Sequence, residues 1–186
     1  MSKITLSSNA SGTGTLTIAS PNTSTDRTLT LPDETGTVLT SASPVISQKG
    51  APAFSAYSGT TQSIGLQTYI KVLFPTERFD TTSAYDTATS RFQPNIEGYY
   101  QISSSVFTQN TNSLSVLRIF KTGALLQELS RNYAGTLAGT LTGSALVYLN
   151  GSTDYVEIYI YTGAATTVGA SDEALVNFQG ILVAAA

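Results

Sequence analysis

The side chains available for chemistry are carboxylates, lysines, tyrosines and serines, because the 186 residues include no histidine and no cysteine. Zinc and haem sites of the usual kind, thiol nucleophiles and Ser-His or Cys-His pairs are therefore excluded. A glycosidase would need two carboxyl groups about 5 to 9.5 Å apart. The nearest pairs in the sequence are Asp80 with Asp86 and Asp172 with Glu173, and neither lies in a recognisable motif. We interpret them as solvated loop charges and expect no enzymatic activity.

Metal, nucleic-acid and membrane partners are also not expected. Carboxylates can bind calcium, but no Asp-x-Asp-x-Asp spacing is present, so we predict no metal and no cofactor. Nine basic residues are scattered along the chain against twelve acidic ones, which gives a formal net charge of -3 and argues against nucleic acid. The first residues lack the apolar stretch of a secretory signal. Apolar runs such as Ala145–Leu149 fall far short of the ~20 residues that span a bilayer.

The composition indicates an all-β protein that forms an oligomer. Only 11% of the residues are charged, whereas soluble domains usually contain roughly a quarter. Serine and threonine make up more than a quarter of the chain, and β-branched threonine favours strands. A surface with so few charges normally carries a risk of aggregation. We therefore infer that neighbouring subunits cover part of it.

Residues 1–44 predict an extended N-terminal β arm. They contain no aromatic residue, and Thr15–Ile18 alternates polar and apolar side chains, as do Thr28–Leu31 and, more weakly, Thr37–Thr40. Three strands this short cannot bury a core of their own, so we expect the arm to pack on sister chains, its own domain or another protein. A disordered, low-complexity leader is the alternative. The predicted anchoring residues are Leu16, Ile18, Leu29, Leu31, Val38 and Leu39.

The remainder predicts a linker, residues 45–52, and a β-sandwich head, residues 53–186. Two prolines and a glycine among small residues mark the linker within Ser41–Pro52. Turn residues at Thr122-Gly123 and Asn150-Gly151 separate strands, and the second pair predicts a hairpin. We expect about eight to ten strands, with a jelly roll as the natural candidate. The predicted strands are Ala53–Tyr57, Gln67–Phe74, Gly98–Phe107, Ser113–Lys121, Leu125–Arg131, Thr140–Asn150, Asp154–Thr162 and Asn177–Val183.

Two of these strands predict a subunit interface. In Asp154–Thr162 the β-branched residues Val156, Ile158 and Ile160 would face the core, which leaves a row of tyrosines on the opposite face. Such a row suits an interface, although tyrosine is also common on solvated strand faces. Ser113–Lys121 is apolar on both faces, which an oligomer explains better than a two-layer monomer does. The predicted interface residues are Tyr155, Tyr159, Tyr161, Leu117 and Ile119.

Six residues of the head follow a distinctive spacing. In chain order they are Phe74, Asp80, Tyr85, Phe92, Gly98 and Tyr100. The gaps between them contain five, four, six, five and one residues. This spacing resembles the signature of the C1q globular-head family, relatives of tumour necrosis factor (TNF), although that signature continues with aromatics where this chain has Ile102 and Ser104. The resemblance covers about residues 53–183 and implies a ten-stranded jelly roll that assembles as a tight trimer. Phe74, Phe92 and Tyr100 would be core aromatics, and Gly98 would serve positive φ or a close backbone approach.

The arm carries a second resemblance. Ser11–Pro21, Asp26–Asp33 and Thr35–Leu39 are similar to a segment near the start of tailed-bacteriophage tail fibres, collar appendages and capsid decoration proteins. The two resemblances together imply a homotrimeric capsid decoration, or cement, protein in the virion, assembled in the bacterial host cytoplasm and anchored by its arms to the major capsid protein or another virion protein. The alternative is the receptor-binding tip of a tail fibre or collar appendage that binds host surface glycan or protein. A free carbohydrate-binding lectin is a third class.

Overall fold

The computed structural model describes residues 11–15, 17, 19, 22–26, 28, 51–109, 113–133, 138–169 and 175–186. By their contacts, residues divide into two units, Met1–Val38 and Leu39–Ala186. In the first unit the described residues are exposed and none belongs to a strand. The predicted boundaries of arm and linker stay predictions. The predicted anchoring residues Leu16, Ile18, Leu29, Leu31, Val38 and Leu39 lie outside the described residues.

The described part of the second unit is built from strands and contains no helix, which confirms the all-β class. Nowhere in the described residues is there a helix long and apolar enough to cross a membrane. The strands are β1 (Ala53–Tyr57), β2 (Gln62–Ile64), β3 (Tyr69–Lys71), β4 (Thr76–Asp80), β5 (Tyr85–Asp86), β6 (Arg91–Phe92), β7 (Glu97–Thr108), β8 (Leu114–Lys121), β9 (Ala124–Tyr133), β10 (Gly139–Asn150), β11 (Val156–Thr162), β12 (Thr166–Val168) and β13 (Asn177–Ala185).

Two antiparallel sheets form a sandwich. Sheet A has the order β2-β12-β7-β13-β1-β4, with β10 paired along the other edge of β7. Sheet B has the order β5-β6-β11-β8-β9, with β3 also paired to β11. In the middle of sheet A, β1 pairs with β13, and Ala53 lies opposite Ile181. The first and last strands of the head are therefore neighbours, as expected for the predicted jelly-roll sandwich.

The predicted strands correspond to β1, β3, β7, β8, β9, β10, β11 and β13. The structure adds β2, β4, β5, β6 and β12, so the described residues contain thirteen strands and not ten. Both β5 and β6 have only two residues. A segment that short cannot show the period-two alternation by which a strand is recognised.

One of the two predicted turns has a different role from the one expected. Thr122-Gly123 joins the hairpin β8–β9, and both residues have positive φ, at 50° and 78°. Asn150-Gly151 is also a turn, in which Asn150 Oδ1 accepts hydrogen bonds from the backbone N–H groups of residues 152–154 at 2.9 to 3.1 Å. The hairpin predicted there is wrong, because β10 pairs with β7 in sheet A and β11 pairs with β8 in sheet B. The turn carries the chain from one sheet to the other.

The space between the sheets is filled by apolar side chains. Val156, Ile158 and Ile160 of β11 are fully buried there, as predicted. Leu117 and Ile119 of β8 also lie in this core and are 0% exposed in a single chain. They have no surface left for a neighbouring subunit, which corrects their assignment to the trimer interface. The strand is apolar on both faces because rings of the same chain cover its outer face.

Candidate interaction surfaces

Four of the six signature residues form an aromatic cluster that joins the two sheets. Phe74, Phe92 and Tyr100 are fully buried in the core. Phe54 of β1 stacks on Tyr85 at 4.8 Å and on Phe92 at 4.4 Å between ring centroids. The hydroxyl of Tyr85 donates a hydrogen bond to the carbonyl oxygen of Phe74 at 2.8 Å. These residues are the fold's centre and do not form an exposed site.

The other two signature residues act on the backbone. Asp80, at the end of β4, accepts hydrogen bonds from the backbone N–H groups of Tyr85 at 2.6 Å and Thr82 at 3.0 Å. Gly98 is buried in β7, and a Cβ added there would lie only 2.7 Å from Leu182 Cδ1. Its φ is not positive. Of the two roles predicted for Gly98, the close approach is therefore the one that the structure shows.

The two cluster tyrosines are held in their neutral form. Burial raises the pKa of Tyr100 to about 12, and its hydroxyl donates to the carbonyl oxygen of Ile96 at 2.6 Å. Burial likewise raises the pKa of Tyr85 above its usual value, and this outweighs the opposing effect of the hydrogen bond with Ser90. A buried phenol that is neutral and hydrogen-bonded supports packing and is unsuited to proton transfer near neutral pH.

Of the carboxylate pairs considered for catalysis, Asp80 and Asp86 are described, and each of them holds a turn. Asp80 is bound by backbone amides, and Asp86 accepts hydrogen bonds from the Thr89 hydroxyl at 2.6 Å and from the Ala88 N–H at 2.9 Å. The bond from Thr89, followed by that from Ala88, lowers the pKa of Asp86. Asp172 and Glu173 lie outside the described residues. Within the described ranges, no group of three or more acidic side chains could hold a metal ion.

The predicted tyrosine row lies on the outer face of sheet B. Its members are Tyr155, Tyr159 and Tyr161, and all three are half-buried. Tyr159 packs on Phe120 with ring centroids 4.2 Å apart, and Tyr161 packs on Tyr69 at 5.3 Å. The guanidinium of Arg91 lies over the Tyr155 ring at 4.3 Å. Each tyrosine thus has a ring contact within its own chain, and its place in a subunit interface stays a prediction.

A buried carboxylate organises the cations beside this row. Glu157 is only 1% exposed, and its Oε1 accepts hydrogen bonds from Lys71 Nζ at 3.1 Å and Arg91 Nε at 2.7 Å. Two cations are needed because a carboxylate that is removed from water must recover the lost hydration. The bond to Glu157 raises the pKa of Arg91. This cluster could not be recognised from the sequence, because its members lie far apart in the chain.

A second carboxylate repeats the arrangement on β9. Glu128 binds Arg131 Nε through Oε1 at 2.8 Å and Arg118 Nη2 through Oε2 at 3.1 Å. The hydrogen bond from Arg131 lowers the pKa of Glu128, and the bond from Arg118 acts in the same direction, against partial burial. The Arg118 guanidinium also lies 4.6 Å from the centre of the Tyr69 ring. The outer face of sheet B therefore consists largely of ion pairs and aromatic rings that contact one another.

The outer face of sheet A has the opposite character. The side chains pointing outward from β7, β10 and β13 carry no charge except that of Glu97, at the start of β7. Strand register places Leu146 opposite Gln101, and Gln101 opposite Ile181, in one row across the three strands. The large apolar or aromatic side chains exposed here, at 37% to 59%, are Phe79, Tyr99, Leu146, Tyr148, Ile181 and Val183. Sequence reasoning missed this face, because each strand contributes only one or two such residues.

A family model for the C1q domain matches residues 53–183. Among solved structures, the globular domain of zebrafish complement 1qA protein is similar with a TM-score of 0.56 and 16% identity, covering 73% of this chain and 99% of that one. Eiger TNF from S. frugiperda gives 0.57 and 10% identity, covering 73% and 93%. Murine APRIL gives 0.57 and 9% identity, covering 71% and 98%. Among the curated proteins, the comparison finds no match.

The structural likenesses have low sequence identity and show the fold alone, whereas the family match carries the classification. It spans well over half of the chain and coincides with the sandwich from β1 to β13. Domains of this family are typically non-enzymatic binding or structural modules, and they form homotrimers. The chain belongs to the C1q domain family.

Proposed function

We propose that the protein is a non-enzymatic structural protein of a tailed-bacteriophage virion, a homotrimeric capsid decoration (cement) protein. The observation that carries the self-association is the outer face of β7, β10 and β13 in sheet A, where Glu97 is the one charged side chain that points outward. The similarity of residues 11–39 to the leaders of phage virion proteins supports the location. The sandwich supplies the trimeric head, and the N-terminal arms attach it to the major capsid protein or another virion protein.

A second copy of the chain is the partner that fits the outer face of sheet A. Contiguous apolar patches on soluble proteins usually mark a binding surface. Burying the part of Leu146 or Ile181 that is still exposed contributes about 1 to 2 kcal/mol, whereas a charged partner would lose its hydration without finding an ion pair. Identical subunits related by a rotation axis bring uncharged faces together. Homotrimers of other C1q domains point the same way.

The tyrosine row on sheet B is the competing place for the interface. Its rings are already covered by Phe120, Tyr69 and Arg91 of the same chain. Burying the face would also remove the remaining water from the ion pairs of Glu128 and Glu157, which is costly. On the outer face of sheet A this cost is limited to Glu97, which accepts a hydrogen bond from Tyr148, and to Lys121, which lies over the Tyr148 ring. We therefore assign the interface to sheet A.

The arms would attach the trimer by strand addition. Main-chain hydrogen bonds would set the register, and the alternating apolar side chains would bury their surface on the shell. Three arms on one trimer bind together, so weak contacts give durable attachment. The anchoring residues of this proposal are Leu16, Ile18, Leu29, Leu31, Val38 and Leu39.

The oligomer is tested by light scattering on the wild type, on Ile181→Glu in sheet A and on Tyr159→Asp in sheet B. We expect three chains per particle for the wild type and for Tyr159→Asp, and single chains for Ile181→Glu. Circular dichroism checks that both variants are folded. Loss of the trimer in Tyr159→Asp alone would place the interface on the tyrosine row. A monomeric wild type would end the proposal of self-association.

The arm is tested by deleting residues 1–44. The truncated protein should remain a folded trimer and should no longer attach to purified particles that lack the native protein. If it still attaches, the anchor lies in the head. Quantitative mass spectrometry of virions then separates the two locations, because a decoration protein is present in many copies and a fibre tip in few.

The receptor-binding alternative has one observation in its favour. Tyr133, at the end of β9, is 77% exposed, and Arg131 and Asn132 beside it are exposed as well. An exposed ring next to polar side chains suits a glycan or protein ligand on the host. Under this alternative, Tyr133→Ala would reduce adsorption to host cells without changing the particle's stability.

A further inference from the structure

The fold gathers positive charge on one face of a chain that is acidic overall. Six lysines and arginines fall within the described residues, and four of them lie on the outer face of sheet B. These four are Lys71, Arg91, Arg118 and Arg131. The sequence indicated scattered cations, but strands distant in the chain bring them together. The whole chain has a formal net charge of -3, so this face differs in sign from the rest of the molecule.

The carboxylates on this face do not cancel the cations. Glu157 is shared by Lys71 and Arg91, and Glu128 is shared by Arg118 and Arg131. Each group of three is therefore left with one positive charge. Asp86 lies at the rim of the face, opposite Arg91, and its carboxylate stays ionised because it accepts hydrogen bonds from Thr89 and Ala88. Four cations against three carboxylates leave the face as a whole with one positive charge.

The cations are also accessible and pre-positioned. The side chain of Arg131 is 52% exposed and that of Arg91 is 39% exposed, even though both are held by carboxylates. Arg91 rests on Tyr155 and Arg118 rests on Tyr69, so the guanidinium groups are supported by rings. An arginine fixed in this way loses less conformational freedom when it binds a carboxylate.

The other side chains of the face favour a carbohydrate over a protein partner. Between the four cations lie tyrosine rings and ion pairs, and the exposed aliphatic Leu125, opposite Phe120, lies at the start of β9. Protein interfaces usually have an apolar centre, which this face lacks. Half-buried tyrosines offer ring edges and hydroxyl groups, which suit a hydroxyl-rich ligand.

We propose that the outer face of sheet B binds an acidic polysaccharide, with the sugar carboxylates paired to Arg91 and Arg131. The inference rests on the proposed function only in that a trimer closed by sheet A leaves this face outside. Three such faces on one particle would bind a long polymer multivalently. Binding would weaken as salt rises, because surface charges are screened.

The probes are polygalacturonate, a polymer of carboxylated sugars, dextran as its neutral counterpart, and polyglutamate as an acidic peptide. Each is immobilised, and binding of the full-length protein is measured at low and at high salt. We expect salt-sensitive binding to polygalacturonate, none to dextran, and little to polyglutamate. If the protein binds dextran as well as it binds polygalacturonate, charge does not determine binding and the proposal is wrong. Binding to polyglutamate alone assigns the face to an acidic protein partner and overturns the proposal.

The residues are tested with Arg91→Gln combined with Arg131→Gln, and with Arg78→Gln on sheet A as the matched control. Loss of two charge-assisted contacts should weaken binding about tenfold or more, and the control should bind as the wild type does. If Arg78→Gln weakens binding as much as the double variant does, the binding site is not at Arg91 and Arg131. Arg131→Gln alone leaves Glu128 paired with Arg118, so it remains informative if the double variant is unstable. The variant Ile181→Glu should still bind as single chains, which separates this proposal from the trimer.

Discussion

The ring of Phe54 lies nearly parallel to that of Phe92, with centroids 4.4 Å apart and ring planes 21° apart. Phe54 belongs to β1 of sheet A and Phe92 to β6 of sheet B, so the contact crosses the sandwich. Phe178 of β13 meets Phe54 edge-on at 4.8 Å. One signature residue, Phe92, therefore lies at the junction between the two sheets.

This junction predicts a large loss of stability when Phe92 is truncated. Phe92→Ala should lower the free energy of unfolding by about 3 to 5 kcal/mol, because the fully buried ring leaves a cavity. Denaturant unfolding measures the difference. Tyr133→Ala, at a ring that is mostly exposed, is the control and should change the value by less than about 0.5 kcal/mol. Similar effects at both positions would contradict the packing.

The close approach at Gly98 predicts that even one methyl group is not tolerated. Gly98→Ala places a Cβ against the backbone carbonyl oxygen of Ala184, its closest contact, and 3.1 Å from Ala185 Cα, so β7 and β13 must separate. We expect the free energy of unfolding to fall by about 1 to 3 kcal/mol. Gly65→Ala is the matched control, because its Cβ would meet only Ile70 Cδ1 at an ordinary 3.5 Å. Equal melting temperatures for the two variants would refute the argument.

The raised pKa of Tyr100 predicts a loss of stability in alkali. In the folded state the phenol of Tyr100 has a pKa of about 12, whereas in the unfolded chain its pKa is near 10.0. The contribution of the neutral form is thus complete below pH 10 and is lost as the pH rises towards 12. Tyr100→Phe should lose less stability over this interval than the wild type does, as measured by denaturant unfolding. Identical pH profiles would show that Tyr100 is not the group responsible.

The lowered pKa of Glu128 predicts the opposite dependence in acid. Hydrogen bonds from Arg131 and Arg118 hold the pKa of the folded-state carboxyl below its usual value. The stabilisation is present above the unfolded pKa and disappears as the pH falls through the folded one. Glu128→Gln should therefore be less stable than the wild type at pH 7, by less than about 1 kcal/mol since the pairs are partly exposed. Thermal melts at neutral and acid pH should show the difference closing; a constant difference would contradict the prediction.

Local patterns were sufficient to predict most long strands. Ala53–Tyr57 has the predicted bounds, and Val156, Ile158 and Ile160 face the core as their alternation indicated. Alternation is a property of neighbouring residues, so it is visible in the sequence. The choice of strand partner cannot be read from neighbouring residues. Asn150-Gly151 is the turn that its residues indicated, but the pairing of β10 with β7 depends on residues some forty positions away.

The surfaces were harder to predict than the strands. The tyrosine row was visible because its members lie in one strand, whereas the face containing Leu146 and Ile181 is assembled from three strands. Leu117 and Ile119 were assigned to an interface because the covering of their strand by Tyr159 and Tyr161 could not be foreseen. The pairing of Lys71 with Glu157 spans 86 positions, and charge counts along the chain cannot detect it.

The neighbouring position of β1 and β13 constrains how the head is made. During synthesis β1 leaves the ribosome early and can pair with β4, but its other partner, β13, exists only after almost the whole head has emerged. Until then the nascent chain exposes unpaired strands that can associate with other molecules. A product that stops before Asn177 would lack a strand from the middle of its sheet and not from its edge, so we expect prematurely terminated heads to be degraded instead of assembled.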